Sequence, residues 1–280
     1  MGSGMGGTGG DYLQKLACGN ATALTRELDV PINYSRRLTG RARTVSSNRH
    51  LGFTLAFVAG AINAGGFLAV HQYTSHMTGI VSSMADNLAL GTFDAVLAGL
   101  GALLSFVAGA GCSAVLVNFA RQRSMHSEYA LPLMVEAILL LCFGLMGARL
   151  AHINGLFVSL TVMLLAFIMG LQNAVITKLS NAEIRTTHIT GIVTDIGIEL
   201  GKLFYRNADK YVGPLRVTGN RPKLGLLCTL AAFFFVGGVV GALGFHHLGY
   251  FATVPLALVL VALASVPVVD DLLAHWRSLR

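Results

Sequence analysis

Read for apolar against polar positions, the chain resolves into long apolar runs over 51–70, 95–120, 131–148, 153–177, 224–248 and 250–269. Each is long enough to cross a bilayer as a helix, a task that takes roughly 20 apolar residues. The run over 131–148 holds one charge, Glu136. Two further stretches, 74–90 and 186–204, are polar on one side and apolar on the other. They read as two short helices, each nearly long enough to span at about 1.5 Å per residue.

Those two stretches repeat a phrase. TSHMTGIVSS runs over 74–83 and TTHITGIVTD over 186–195. The match extends upstream, with Phe57, Gly60, Asn63 and Ala64 matching Phe167, Gly170, Asn173 and Ala174 at the same spacing. A unit over 51–148 is therefore duplicated over 153–269, each copy a long apolar helix, a short polar helix and two more apolar helices. Asn63 falls near the middle of its run and Asn173 near the end of its own, an unevenness between the copies.

On a helix, His188, Asp195 and Glu199 share one stripe, and the matching residues His76, Ser83 and Asn87 are polar too. Asp86 lies slightly to one side. The hydroxyls of Thr74, Ser75, Thr186 and Thr187 are expected to cap the short helices. Gly79 and Gly191, one turn in beside Thr78 and Thr190, allow close approach of a neighbour or a solute. Ionisable groups at membrane depth are costly and mark pathways. His76, Thr78, Gly79, Asp86, Asn63, His188, Thr190, Gly191, Asp195, Glu199 and Asn173 are thus the candidate pathway residues. His188 and Asp195 are expected to work as a coupled proton-binding pair, with His76 facing the same cavity.

Charge sets the orientation. Six arginines fall between Arg26 and Arg49, just before the first apolar run. Positive residues stay on the cytoplasmic side, which places the N-terminus there. If neither short helix crosses, six crossings leave only Arg149 outside; if both cross, eight spans put Arg121, Arg123, Lys178 and Arg185 outside. Six fits better and brings the C-terminus back to the cytoplasm. With three crossings per copy, the second copy enters from the opposite face, an inverted repeat of the kind that builds a midplane site.

The paired TG phrases and the G-x-x-N-A element before each resemble the YoaK-like family of bacterial inner-membrane proteins, a domain of unknown function. The resemblance implies a multi-pass protein of the bacterial inner membrane and names no substrate. Many members follow the first TG with Asn, where this chain has Ile80.

Composition agrees: 54% of residues are hydrophobic, 12% are charged and the mean hydropathy is +0.66, values of an integral membrane protein rather than a soluble domain. MGSGMGGTGG at the start lacks an apolar core and reads as a flexible leader or expression remnant. The basic segment 1–48 is expected to be flexible and cytoplasmic, touching lipid headgroups and not nucleic acid. Cys112, Cys142 and Cys228 sit in apolar runs without metal-ligand spacing, and neither a metal nor another cofactor is expected. Gly101, Ser105, Gly109 and Ser113, and Gly237 with Gly241, form small-residue seams for helix packing within the monomer or at a homodimer face. No H-E-x-x-H, G-x-S-x-G or Walker spacing occurs, so no enzyme class is indicated.

The expected protein is an all-α membrane bundle of six crossings plus two short polar helices, acting as a transporter or channel for an unidentified small solute. A non-transporting membrane enzyme or an interaction scaffold is the rival.

Overall fold

The computed structural model describes residues 38–39, 45–150, 154–180, 184, 186–207 and 216–278. The leader, most of the basic segment and Arg185 lie outside the described residues. Among the described residues the main elements are all helical: α1 Val45–Val70, α2 Met77–Ala89, α3 Phe93–Gln122, α4 Ala130–Leu150, α5 Asn154–Leu179, α6 Ile189–Phe204, α7 Arg221–Leu248 and α8 Thr253–Ser278.

Local chemistry places several of these ends. Asn220 caps α7 by accepting from the Lys223 N–H at 3.0 Å, with Pro222 in the first turn, where its missing N–H costs nothing. Gly91, at φ 73°, closes α2 in the left-handed conformation that favours glycine. The last helix outruns its apolar stretch. Pro267 cannot donate to the Leu263 carbonyl one turn back, yet α8 continues to Ser278, and the hydroxyl of Thr39 supplies the missing donor at 2.8 Å. Helix α8 therefore carries on past the apolar run that ends at Val269.

Among the described residues five stretches are long and apolar enough to cross a membrane: Ser46–Val70, Phe93–Gln122, Ala130–Gly147, Leu160–Leu179 and Arg221–Ala274. The last contains two helices, α7 and α8, joined by the 3-10 turn Gly249–Ala252. The short helices, with 13 residues in α2 and 16 in α6, are not among the five.

Packing gives each long helix a direction. Along α1 and α7 the contacts advance together: Phe53 stacks on Phe233, Phe57 meets Gly237, Ala61 meets Gly241 and Gly65 meets Phe245, so the two run parallel. The same holds for α3 and α5, through Gly101 with Met163, Phe106 with Gly170, and Asn118 with Lys178. Against α1, α5 is antiparallel: Gly66 faces Leu165, while Gln172 donates to the Leu55 carbonyl. Gly144 faces Thr253 at one end of the α4/α8 pair and Ser127 meets Asp271 at the other, so α8 runs back along α4. The six long helices thus alternate in direction along the chain.

Both parallel pairs close on the same device. A Cβ on Gly60 would overlap the Phe234 carbonyl, and one on Gly237 the Phe57 carbonyl. Gly109 and Phe167, Gly170 and Phe106, repeat the arrangement in the other pair. Four F-x-x-G segments therefore interlock two by two, close enough for Cα–H to carbonyl contacts worth about 0.5–1 kcal/mol each. The small-residue seams serve packing inside the monomer. Outside this core, α3 exposes Leu97, Leu104, Val107 and Val115 and α7 exposes Phe235, Val236, Val240 and Leu243, surfaces suited to lipid.

Candidate functional site

The repeated phrase begins outside the helix it introduces. His76 and His188 occupy the positions just before the first turns of α2 and α6, and neither helix start has a side-chain cap. The hydroxyls expected to cap are used elsewhere. Ser75 Oγ donates to Asn63 Oδ1 at 2.8 Å, and Thr187 Oγ1 donates to Asn173 Oδ1 at 2.6 Å. Thr74 and Thr186 are fully buried, each with a hydroxyl that has no partner.

These bonds fix depth. Asn63 lies seven residues before the end of α1 and Asn173 six before the end of α5. After each long helix ends, the chain therefore doubles back by about two turns, roughly 10 Å, before the short helix starts. The unevenness expected between the two asparagines disappears, because α1 begins at Val45, six residues ahead of its apolar run. Since α1 and α5 are antiparallel, the two loops dip in from opposite ends of the bundle. α2 then leads outward over α3, with Met84 against Gly99, and α6 leads outward over α7.

Ile80 is buried against Ala102, Val162 and Ala166 in the first turn of α2, an apolar choice that seats the helix start on α3 and α5. Gly79 leaves room for the His76 ring, whose Nδ1 would stand 2.5 Å from a Cβ there. A cleft of about 480 Å³ opens beside this turn, lined by His71, Gln72, Tyr73, Gly79, Ser83 and Gly99 among others. Thr78 and Thr190 are exposed and Gly191 is half-buried.

Packed core lies between His76 and His188. Val58, Ile62, Ile168 and Met169, on α1 and α5 between the two anchoring asparagines, are buried core residues. A dry layer separates the helix starts. The outer part of each polar stripe also has another use. Asn87 Oδ1 accepts from Thr92 Oγ1 at 2.7 Å, at the start of α3, and Asn87 Nδ2 donates to Ser83. In the second copy Glu199 takes the matching role, accepting the Asn220 N–H at 2.8 Å at the start of α7, with Lys202 at 2.9 Å. The Lys202 ammonium, followed by the Asn220 amide, holds the Glu199 carboxyl below the usual range. Asp195 lies 3.5 Å from Lys223, which makes it part of this brace, and Asp86 is exposed.

The apolar run over 131–148 holds one charge, Glu136. Glu136 on α4 is fully buried, and neither carboxyl oxygen has a partner among the described residues. A carboxyl amid apolar residues was the signal. Among the described residues no three His, Cys, Asp or Glu side chains cluster as metal ligands.

Comparison with known proteins agrees with the motif. The model of a protein family described as a protein of unknown function, DUF1275, matches residues 51–266. The chain belongs to this family. The match takes in both repeated phrases and reaches into all six long helices. The chain is also 26% identical over 210 residues to the UPF0700 transmembrane protein YoaK of Bacillus subtilis (strain 168), a match spanning 73% of this chain and 88% of that protein. No solved structure matches it. This DUF1275 chain is a membrane protein.

Proposed function

We propose that the protein carries a small polar or anionic solute across a bacterial cytoplasmic membrane, along a path guarded by the first turns of α2 and α6. The observation that carries this reading is the matched pair of inward-dipping loops, each tied to a long helix by the same hydroxyl–asparagine bond. In a bilayer, irregular backbone at depth is tolerated where it is buried in protein or lines a cavity. A helix that starts there turns its free amides and positive dipole end toward the interior, a setting for negative charge or for a polar group needing donors.

In this reading the six long helices all cross, and the two copies form an inverted repeat. Its support is the packing itself: exchanging the copies turns the α1/α7 pair into α5/α3 and α2/α3 into α6/α7, and returns α4/α8 and α1/α5 to themselves. Both termini are cytoplasmic. Arg49, Arg121, Arg123, Lys178, Lys202, Arg206, Arg221, Lys223 and Arg277 all fall at the end of the bundle where α1 starts, and Arg149 at the other. The dry layer between the helix starts makes this a closed conformation.

Two measurements test the reading. Single cysteines at Ser124 and Gln72 are labelled with an impermeant thiol reagent on intact cells, and only Gln72→Cys is expected to react. Proteoliposomes are then assayed by light scattering against chloride, nitrate, formate, acetate, urea and glycerol. Labelling of Ser124→Cys from outside overturns the topology; absence of flux for every solute under either gradient overturns the transport reading and favours a membrane enzyme or scaffold.

A further inference from the structure

Glu136 stands apart from both copies of the repeated phrase. Its depth follows from its neighbours. Phe143, seven residues on, lies with its ring 6.2 Å from that of Phe245, which packs on Gly65. Seven residues are about 10 Å of helix, so Glu136 lies within roughly a turn of the level of the Gly60 and Gly237 clasp. It is also on the inward stripe of α4: Glu136, Leu140, Phe143 and Gly147 recur at helical spacing, and Phe143 and Gly147 meet Tyr250.

No charge on a packed helix faces it. On α8 the stretch from Thr253 to Val269 has no ionisable side chain, and Asp270 and Asp271 come later. On α5 the one such group among the described residues is Lys178, in the last turn and bonded to Asn118. On α3, Asp94 and Arg121 sit at the ends, Arg121 paired with Glu128 at 2.6 Å, and Cys112 lies between them. Tyr250, in the turn before α8, packs on Phe143 and Gly147, seven and eleven residues beyond Glu136 along α4. An ionised carboxylate here would have neither a cation nor a donor, while the neutral acid is tolerable.

A cleft open to the medium approaches this level of α4. A cleft of about 540 Å³ at the arginine-rich end of the bundle is lined by Arg123, His126, Ser127, Leu131, Val268 and Asp271. His126 Nδ1 and Asp271 Oδ1 stand 3.0 Å apart at this cleft. Leu131 is five residues before Glu136, about 7.5 Å along α4. A short water file at the foot of the cleft would reach the carboxyl, and unpartnered buried oxygens are where such waters bind.

We propose that Glu136 is an exchangeable proton-binding site at mid-depth of the bundle, supplied through the cleft between the α3–α4 loop and the end of α8. It names a proton as the coupling ion for the proposed transport, and rests on that reading only for the use made of the proton. Binding itself is read without any solute.

The test uses the full chain in lipid nanodiscs. Infrared spectroscopy at pH 7 is expected to show a protonated carboxyl band that shifts when the protein is transferred to D2O and is missing in Glu136→Gln. Dicyclohexylcarbodiimide gives an independent reading. The acid proton moves to a carbodiimide nitrogen, the carboxyl oxygen bonds the central carbon, and the O-acylisourea rearranges to a stable N-acylurea with nothing lost. Peptide mapping of the wild-type protein is expected to place one adduct on Glu136 at pH 7, with a drop of more than tenfold in adduct on that peptide in Glu136→Gln. Because the mapping works on wild type, the assignment survives if the variant fails to fold. A carboxyl band that never exchanges in D2O, or no band and no adduct at pH 7, overturns the proposal. Flux with an unprotonated Glu136 sinks this inference alone, whereas an exchanging Glu136 without flux sinks only the transport reading.

Discussion

Gly237 lies so close to the Phe57 carbonyl that a methyl group in place of its hydrogen would overlap the oxygen, and Gly109 stands in the same relation to Phe167. The obstacle is backbone, so it cannot swing aside as a side chain would. Gly237→Ala and Gly109→Ala are each expected to lose about 1–3 kcal/mol through forced separation of the helices. Gly111→Ala, two residues from Gly109 with nothing within 4 Å of the added atom, is expected to be neutral or slightly stabilising. Thermal unfolding of the three variants in one detergent checks this, and equal midpoints for Gly109→Ala and Gly111→Ala would remove the clasp from the account.

The hydroxyl–asparagine bonds hold the dipping loops to α1 and α5. Asn63→Ala and Asn173→Ala are each expected to cost about 1 kcal/mol, with a comparable cost for Ser75→Ala and Thr187→Val. Within each pair the losses should not add, because either substitution breaks the same bond. Hydrogen exchange supplies the local readout: amides of 71–77 should exchange faster in Asn63→Ala, and those after Ile184 in Asn173→Ala. Additive losses would mean that the bonded atoms are not energetically coupled.

The long apolar helices and the two short polar ones were readable in apolar period and in a repeated phrase, since these are local properties of the chain. What could not be read was which surface meets which. Phe57 with Gly60 and Phe167 with Gly170 were visible as matching pairs, but their partners, Phe234 with Gly237 and Phe106 with Gly109, lie on helices of the opposite copy. The polar stripe shows the same limit. Asp195 and Glu199 do share a helix face, with His188 left in the loop before it, yet Asn220 and Lys223 arrive from the next helix and convert the outer part of the stripe into a brace. Glu136 was legible as a residue and not as a site, because its isolation is a property of the helices around it.

Pro267 leaves the Leu263 carbonyl without its helical donor, and Thr39 Oγ1 fills the gap at 2.8 Å. Thr39→Val keeps the shape and removes the donor, so a part-buried carbonyl is left unsatisfied. The expected loss is about 1–3 kcal/mol. Restoring the backbone donor with Pro267→Ala should recover most of it. A Thr39→Val/Pro267→Ala protein no more stable than Thr39→Val would show that the hydroxyl acts otherwise.

Glu199 carries a pH signature. Its carboxyl is held below the usual range by the Lys202 ammonium first and the Asn220 amide second. Since the folded value is the lower one, the stability it contributes is complete above the unfolded glutamate value of about 4.3 and drains away as pH falls through the folded value. Glu199→Gln should therefore be less stable than wild type at pH 7 and approach it in acid. Melting curves across pH 3 to 7 measure the difference, and a constant gap over that range would mean that ionisation of Glu199 contributes nothing.

His76 and His188 immediately precede the first turns of α2 and α6, on loops that enter from opposite ends of the bundle. If the two helix starts are the gates of one path, a solute crossing in either direction must pass both, and neither histidine can be spared by reversing the gradient. His76→Ala and His188→Ala are then expected to lower flux of the transported solute to a similar extent, within about threefold of one another, whichever way the gradient points. A scaffold or enzyme with one working face predicts otherwise, since only the histidine on that face would matter. Proteoliposomes sorted by orientation, with the impermeant thiol label on Gln72→Cys as the marker, allow each variant to be measured in both directions. Flux that survives intact in one variant while the other is dead would break the equivalence of the copies, and with it the reason for reading the repeated phrase as a pair of gates.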